Sequence, residues 1–277
     1  MYQLVIAEKP SVAQSLAAVL GAGQRREGYL EGNGWLVSWC VGHLAELADA
    51  AAYNPAYAKW RKEDLPILPE SWRFTIAKDK RDQFDVLRTL LRREDVSEVV
   101  NACDAGREGE LIFRTVYALA GCSKPISRLW ISSMEDEAIR EGFAHLRPGR
   151  EYDGLHQAAL CRSKADWLVG INASQALAIA SGTFNQSLGR VQTPTLAMIC
   201  ARFKENREFV PTDYWQLSVT LKKGDDFRQF RHVENILEKT EADRLYDRIT
   251  TDSMATITKT ERKRGFQAPP LLYDLTI

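Results

Sequence analysis

The chain has 277 residues, of which 45% are hydrophobic, enough for one large domain or two ordinary ones with a sizeable core. Its 37 basic and 37 acidic residues cancel, so the composition excludes a globally cationic nucleic-acid-binding protein and leaves only local patches for such a role. The five cysteines form no C-x-x-C pair, which predicts a reduced, cytoplasmic chain without structural zinc, and no signal peptide or membrane span is predicted.

The first 150 residues predict alternating strands and helices. An apolar run over residues 4–7 is typical of a buried strand, and a helix follows from Val12 to a C-capping Gly21. We predict further strands over 28–31, 35–41, 96–103 and 127–131, and helices over 79–93, 110–120 and 134–146. Residues 49–72 are predicted to be an irregular insertion. This order favours an α/β domain with a mostly parallel sheet and helices on both faces.

The rest of the chain predicts two further regions. Helical patterns over 152–180 and from about 195 to 206 indicate a helical domain. Apolar and polar residues alternate over 215–221, residues 223–226 form a turn, and 227–233 return, which predicts an antiparallel β region. A helix over 241–249 and a strand over 254–260 are predicted to follow. We therefore expect domains at residues 1–149, 150–212 and 213–277.

An acidic segment, Asp104-Ala105-Gly106-Arg107-Glu108-Gly109-Glu110, follows the predicted strand 96–103. Ligand sites in doubly wound folds gather at the carboxyl ends of parallel strands, and the first strand delivers Glu8 and Lys9 to that end. Converging carboxylates repel one another unless a hard cation neutralises them, and Mg²⁺ suits a site with few carboxylates, water and a substrate phosphate. Gly106 and Gly109 are expected to leave room for a phosphate beside the backbone.

Simpler explanations remain open for these residues. Carboxylates in the first turn of a helix stabilise it by about 0.3–1 kcal/mol each, and Lys9 could be a solvated loop residue. No G-x-G-x-x-G or Walker A motif is present, so nothing points to ATP or another nucleotide cofactor. The four histidines have no metal-ligand spacing.

Six blocks of sequence stand out along the chain, in this order: VIAEKPSVAQSLAAVLG, WCVGHL, DAGREGELIFR, RSKADWLVGIN, LGRVQTPTL and QAPPLLYDLT. Together, and in the same order throughout, they resemble bacterial type IA DNA topoisomerases of the topoisomerase III branch. The resemblance implies a metal-binding Toprim fold, then a helical domain that binds single-stranded DNA, and then the start of a β-rich arch that encloses the DNA gate.

In that family a tyrosine attacks a phosphodiester of single-stranded DNA, another strand passes through the gap, and the 3′ hydroxyl reverses the linkage. The resemblance implies that Glu8 assists proton transfer and that Lys9 stabilises or protonates the leaving 3′ oxygen. It also implies that Asp104 and Glu108, together with Glu8, hold Mg²⁺. Gly106 stands where the family has its middle acid, so we expect weak metal binding.

The resemblance also implies roles for Glu110 in the acidic segment and for Arg162 and Asp166 in the helical domain. Glu110 is expected to serve the start of its helix and not the metal. Arg162 and Asp166 lie four residues apart on one helix face, where a surface ion pair worth little is the simpler explanation. The resemblance favours Arg162 on a DNA phosphate, with Asp166 orienting it or a nearby base. Trp167 is expected to be a core residue.

The block LGRVQTPTL supplies the remaining expected DNA contacts. By resemblance, Arg190 and Gln192 contact the sugar–phosphate backbone, and Thr193 assists at the start of its helix. Because the chain carries no net charge, binding is expected to rely on grooves and not on a cationic surface.

None of the nine tyrosines lies in the Tyr-Pro-Arg-Thr-like context of the family's nucleophile. We therefore expect the N-terminal part of a longer topoisomerase, monomeric and associated with nucleoid or plasmid DNA, that binds single-stranded DNA and Mg²⁺ but does not cleave. Two alternatives stay open. One is a free-standing Toprim nuclease or primase-like enzyme that activates a metal-bound water. The other is a non-catalytic module whose binding of single-stranded DNA ignores Mg²⁺.

Overall fold

The computed structural model of the chain describes residues 1–184, 186–252, 254–262 and 264–269. These residues divide into two compact units, the first running from Met1 to Thr195 and the second beginning at Leu196. No helix within the described ranges has the length and apolar character needed to cross a membrane.

The first unit contains both strands and helices. Its strands are β1 (Tyr2–Ala7), β2 (Gln24–Arg26), β3 (Tyr29–Gly32), β4 (Trp35–Trp39), β5 (Ala45–Leu47), β6 (Phe74–Ile76), β7 (Val96–Ala102), β8 (Ile126–Arg128) and β9 (Arg147–Pro148). Its helices are α1 (Pro10–Leu20), α2 (Ala50–Tyr53), α3 (Arg81–Arg92), α4 (Arg107–Leu119), α5 (Asp136–Ala144) and α6 (Asp153–Ser181), and α7 (Gln192–Arg207) begins in it.

A seven-stranded sheet in the order β2-β3-β4-β1-β7-β8-β9 organises this unit. The four central strands β4, β1, β7 and β8 are parallel, whereas β2, β3 and β9 pair antiparallel at the two edges. Ala7 at the end of β1 lies opposite both Trp39 and Ala102, so these strands end at one rim of the sheet. The prediction of a mostly parallel sheet is confirmed.

Helices cover both faces of the sheet, as predicted. Successive residues of a strand point to opposite faces, so Leu4 and Ile6 of β1 join one apolar cluster and Val5 joins the other. The first cluster includes Phe84 and Leu87 of α3 with Phe113 and Val116 of α4, and the second includes Leu16 of α1 and Ile139 of α5. Burial on both faces explains the apolar run over residues 4–7 of β1 and the apolar pair Val99 and Val100 of β7.

The predicted insertion is held firmly against helix α6. The indole nitrogen of Trp167 donates a hydrogen bond to the carbonyl oxygen of Ala48 at 2.9 Å, and its ring makes edge contacts with Tyr53 and Trp72. Asn172 accepts from the backbone N–H of Ile67 at 2.6 Å and donates to the carbonyl oxygen of the same residue at 3.0 Å. Trp167 is therefore a packing residue, as expected.

The second unit contains a β-hairpin and a helix. Strands β10 (Ser218–Lys223) and β11 (Asp226–Arg231) pair antiparallel around Gly224, whose φ of 65° suits glycine in a tight turn, and helix α8 covers Lys239–Thr251. The predicted strand over 254–260 is wrong, because its described residues pair with no strand in the described part of the chain. The C-terminal end of the block QAPPLLYDLT, from residue 270, lies outside the described residues.

Candidate functional site

Neighbouring parallel strands deliver chemically active side chains to one rim of the sheet. Glu8 and Lys9 follow β1, Asp104 follows β7, and Trp130 follows β8. A cavity of about 400 Å³ opens at this rim. Its walls are formed by Glu8, Asp104, Ala105, Gly106, Arg107, Glu108, Gly109, Trp130, Leu155 and Arg162. We call it the acid cavity.

Lys9 lies between two of the carboxylates. Its Nζ atom is 3.4 Å from Asp104 Oδ2 and 3.5 Å from Glu8 Oε1. The charges of Asp104 and, to a smaller extent, Glu8 raise the pKa of Lys9 above its ordinary value, so the side chain stays an ammonium ion at neutral pH. Only 13% of the Glu8 side chain is exposed, against 55% of Lys9. The structure thus brings the expected acid and cation together.

The other expected metal ligand, Glu108, lies more openly in the same cavity. Its side chain is 58% exposed, and Oε2 lies 3.5 Å from His43 Nε2. Among the residues described, no three His, Cys, Asp or Glu side chains converge closely enough to hold a metal ion by themselves. The oxygen donors suit Mg²⁺, which commonly takes one or two carboxylates and completes its shell with water and phosphate. The cavity fits that mode of binding and not an all-protein cage.

Buried Arg128 holds the segment that carries Asp104. Its Nη1 donates to the carbonyl oxygens of Asn101 at 3.0 Å, Cys103 at 2.6 Å and Leu129 at 2.8 Å, and its Nη2 donates to the carbonyl oxygen of Asp104 at 2.7 Å. The side chain is only 1% exposed. One side chain at the end of β8 therefore fixes the backbone that leaves β7.

Glu110 lies in the first turn of α4, as expected, and its buried carboxylate is also the ionic partner of Arg128. Its Oε1 lies 2.7 Å from Arg128 Nε, in an ion pair without hydrogen-bond alignment, and its Oε2 lies 3.3 Å from Arg114 Nε. Asn101 donates to Oε1 at 2.8 Å. Burial raises the pKa of Glu110, while the charges of Arg128 and Arg114 act in the opposite direction. The sequence did not reveal this pairing, which arises because α4 begins at Arg107 and so turns Glu110 towards the buried face.

The two glycines of the acidic segment differ. A Cβ atom on Gly106 would meet nothing within 4 Å, so this position leaves the room expected for a phosphate. A Cβ atom on Gly109 would instead collide with the carbonyl oxygen of Asp104. Gly109 therefore serves close packing of the segment, and the expectation that it leaves space for a ligand is wrong.

The expected DNA-binding residues of α6 and the following turn form one cluster. Asp166 Oδ2 lies 3.7 Å from Arg162 Nε, and Asp166 Oδ1 lies 2.5 Å from Arg190 Nε. All three side chains are about 41–42% exposed. Two guanidinium groups share one carboxylate, so the cluster carries a net positive charge. Because Arg162 also lines the acid cavity, the cluster is continuous with it.

The remaining two expected contacts shape the turn before α7. Gln192 Nε2 donates to Ser187 Oγ at 3.3 Å, and Thr193 Oγ1 accepts from the backbone N–H of Gly189 at 3.1 Å. Gln192 and Thr193 thus stabilise the backbone on which Arg190 stands.

Trp130 was not identified from the sequence. Its ring stacks on Tyr152 with centroids 4.9 Å apart, yet 37% of the residue stays exposed at the acid cavity. The rule that parallel strands bring their carboxyl ends to one rim could have found it, because β8 is the next parallel strand after β7.

Two known families match the chain in succession. The Toprim domain matches residues 3–134, and the family described as DNA topoisomerase matches residues 150–277.

The chain is also similar to bacterial proteins named DNA topoisomerase 3. The chain is 44% identical over 275 residues to DNA topoisomerase 3 of Shouchella clausii and 42% identical over 286 residues to that of Bacillus subtilis. These matches cover 98% and 99% of the chain, but only 37% and 38% of the relatives' length. The structure of full-length topoisomerase I from Thermotoga maritima aligns with a TM-score of 0.57 and 22% identity. The alignment covers 88% of this chain and 37% of the Thermotoga maritima chain, and it shows a similar fold.

Proposed function

We infer that this chain, which belongs to the DNA topoisomerase family, supplies the metal-binding and strand-binding parts of a type IA reaction. In that reaction one strand of DNA is cleaved, another is passed through the gap, and the first is rejoined, without ATP. The observation that carries the inference is the position of Arg162, which lines the acid cavity and belongs to the Arg162–Asp166–Arg190 cluster. A DNA strand bound by this cluster would therefore lie next to the carboxylates of the acid cavity.

We assign Mg²⁺ to the acid cavity, with Asp104, Glu108 and Glu8 as its available carboxylates. The cation would neutralise phosphate charge as DNA approaches. Support comes from the oxygen-only donors and from the open space around Gly106, which leaves room for a phosphate to complete the ligand shell.

Glu8 and Lys9 are the residues that we assign to the chemistry. The neighbouring carboxylates keep Lys9 charged, so its ammonium is available to stabilise a leaving 3′ oxygen. Glu8, mostly buried beside it, is the group within reach for proton transfer at the scissile phosphate.

We assign residues 1–149 to the Toprim domain, 150–212 to the helical domain for single-stranded DNA and 213–277 to the start of the arch. No tyrosine of this chain has the context expected of the nucleophile, so we expect the 277-residue chain to bind DNA but not to cleave it. We further expect a monomer in the bacterial cytoplasm, associated with nucleoid or plasmid DNA, as the reduced cysteines suggest.

The test is binding of a labelled single-stranded oligonucleotide, measured by fluorescence anisotropy over a range of salt concentrations. Each neutralised phosphate contributes about 0.7 to the salt slope, so the few arginines predict a slope of about two or three. Arg190→Ala should lower both the affinity and the slope, whereas Glu8→Gln should barely change the affinity measured without Mg²⁺. Arg202→Ala, at an arginine that is 81% exposed on α7, is the matched control.

Other outcomes favour the other functions. Absence of single-strand binding, or an Arg190→Ala effect no larger than that of Arg202→Ala, would contradict the proposal. Metal-dependent nicking by the purified chain would favour a Toprim nuclease. Binding that ignores Mg²⁺ and is unchanged in Asp104→Asn would favour a non-catalytic module. A covalent DNA adduct on a tyrosine of this chain would refute the expectation that it cannot cleave.

A further inference from the structure

A second cavity, of about 510 Å³, adjoins the acid cavity in the same compact unit. The two cavities share Trp130 as a wall. The polar side chains that line the second cavity are Ser132, Ser133, Glu141, His145 and Arg147. We call it the tryptophan cavity. None of the roles assigned above uses it.

Tyr152 and Arg128 both contact the ring of Trp130. Tyr152 stacks on the indole with an interplanar angle of 22°, which covers the first face. The Cζ atom of Arg128 lies 5.0 Å from the indole centroid and also 5.9 Å from the centroid of Tyr152. An arginine on the opposite face of the indole would be much farther from Tyr152, so Arg128 does not cover the second face. The 37% exposure of Trp130 is therefore consistent with an open ring face towards the cavities.

The support beneath the ring is rigid. Tyr152 is buried, and Arg128 is fixed by four hydrogen bonds to backbone carbonyl oxygens. An indole fixed from below loses little conformational entropy when a flat group stacks on it. Every nucleobase offers such a flat face, and stacking on aromatic side chains is the usual way in which single strands are bound without regard to sequence.

The charges in the tryptophan cavity balance. One arginine, Arg147, and one carboxylate, Glu141, line it, so their formal charges cancel. His145 also lines it, with Nδ1 2.9 Å from the backbone carbonyl oxygen of Glu141. A site built for phosphate would carry an excess of cations. The tryptophan cavity instead offers a ring, hydroxyl groups and balanced charge, which is the chemistry of a base-binding pocket.

We propose that the tryptophan cavity binds one nucleotide of single-stranded DNA, whose base stacks on Trp130. The inference rests on the proposed function and extends it, because the strand runs from the Arg162–Asp166–Arg190 cluster through the acid cavity into the tryptophan cavity. Trp130 marks the point where the strand leaves the acids. The subsite holds the nucleotide next to the phosphate at the acids.

The first test measures the affinity of the 277-residue chain for oligonucleotides of increasing length. Trp130→Ala should weaken binding of the longer oligonucleotides about tenfold, a loss within the range of base stacking, and leave the shortest ones unaffected. The salt slope should not change, because no charge is removed. Trp130→Phe should keep most of the affinity. Leu119→Ala, at a residue with the same 37% exposure at the end of α4, is the control.

A loss of folding is separated from a loss of stacking by Trp130→Leu. Leucine keeps apolar bulk against Tyr152 but offers no aromatic face, so this variant should unfold close to the wild-type temperature and still bind as weakly as Trp130→Ala. A second measurement uses 2-aminopurine placed at successive positions of one oligonucleotide. Its fluorescence should be quenched at one position in the wild type, and this quenching should be lost in Trp130→Leu.

The outcomes separate this inference from the function on which it rests. If the wild type binds single strands in an Arg190-dependent manner but Trp130→Leu binds equally well, the subsite is refuted and the proposed function stands. If the wild type binds no single strand, both are refuted. A length-dependent loss in Trp130→Leu, together with position-specific quenching, supports the subsite.

Discussion

Replacing Glu110 by glutamine tests whether the buried ion pair supports the rim of the sheet. The substitution keeps the size of the side chain and removes its charge, which leaves Arg128 without its ionic partner. Both side chains are 1% exposed. Removing one member of a buried pair typically destabilises a protein by about 3–5 kcal/mol, because the remaining charge is uncompensated.

The contacts of Arg128 decide where in that range the change should lie. Four hydrogen bonds to backbone carbonyl oxygens remain and continue to solvate the guanidinium, and the new amide can still accept from Asn101. We therefore expect the lower end of the range, a loss of about 3 kcal/mol in the free energy of unfolding. For a unit of this size that corresponds to a fall of about 6–12 °C in melting temperature.

The assay is urea unfolding followed by circular dichroism at pH 7, with thermal melting as a second measure. Glu108→Gln is the matched control, since it removes the same charge two residues away from a side chain that is 58% exposed. It should change stability by no more than about 0.5 kcal/mol. If Glu110→Gln and Glu108→Gln differ by less than about 1 kcal/mol, the assigned structural role of the ion pair is incorrect.

Three further predictions concern the same rim. Gly106→Asp should tighten Mg²⁺ binding in calorimetry, because it adds a carboxylate where a side chain meets no obstacle; unchanged affinity would mean that the cation binds elsewhere. Gly109→Ala should cost about 1–3 kcal/mol of stability in urea unfolding, whereas Gly106→Ala should cost less than about 1 kcal/mol; equal costs would contradict the packing argument. The pKa of Lys9 is raised, so its ion pairs should stabilise the fold fully below pH 10.5 and lose that contribution as the pH rises through the raised pKa; a stability difference between wild type and Lys9→Met that does not change with pH would refute this.

The sequence predicted the central strands and most helices because their patterns are local. The buried run of β1 and the periodicity of α3 each identify an element without knowledge of its neighbours. Strands β5 and β6 were missed, since three residues are too few to show alternation. The strand predicted over 254–260 failed because a strand also needs a partner, and residues 254–260 pair with no strand in the described part of the chain.

The candidate site divides in the same way. Glu8, Lys9 and Asp104 could be predicted, because the ends of parallel strands meet at one rim and acids there are visible in the sequence. The ion pair between Arg128 and Glu110 could not be predicted, because it depends on how α4 is oriented relative to the end of β8. The opposite needs of Gly106 and Gly109 likewise follow only from atoms that three-dimensional packing brings close.

With the metal and DNA sites proposed above, the position of Lys9 between Glu8 and Asp104 would make their occupancy cooperative. In the free chain the ammonium already neutralises part of the carboxylate charge, so a cation arriving alone gains less than it would from a bare pair. A DNA phosphate that attracts the Lys9 ammonium would draw it away from the carboxylates, so their full negative charge would again be available to the metal ion. By thermodynamic linkage, metal ion and DNA strand must then each raise the affinity for the other by the same factor. The lysine that we propose for the chemistry would thereby also couple metal occupancy to the presence of DNA.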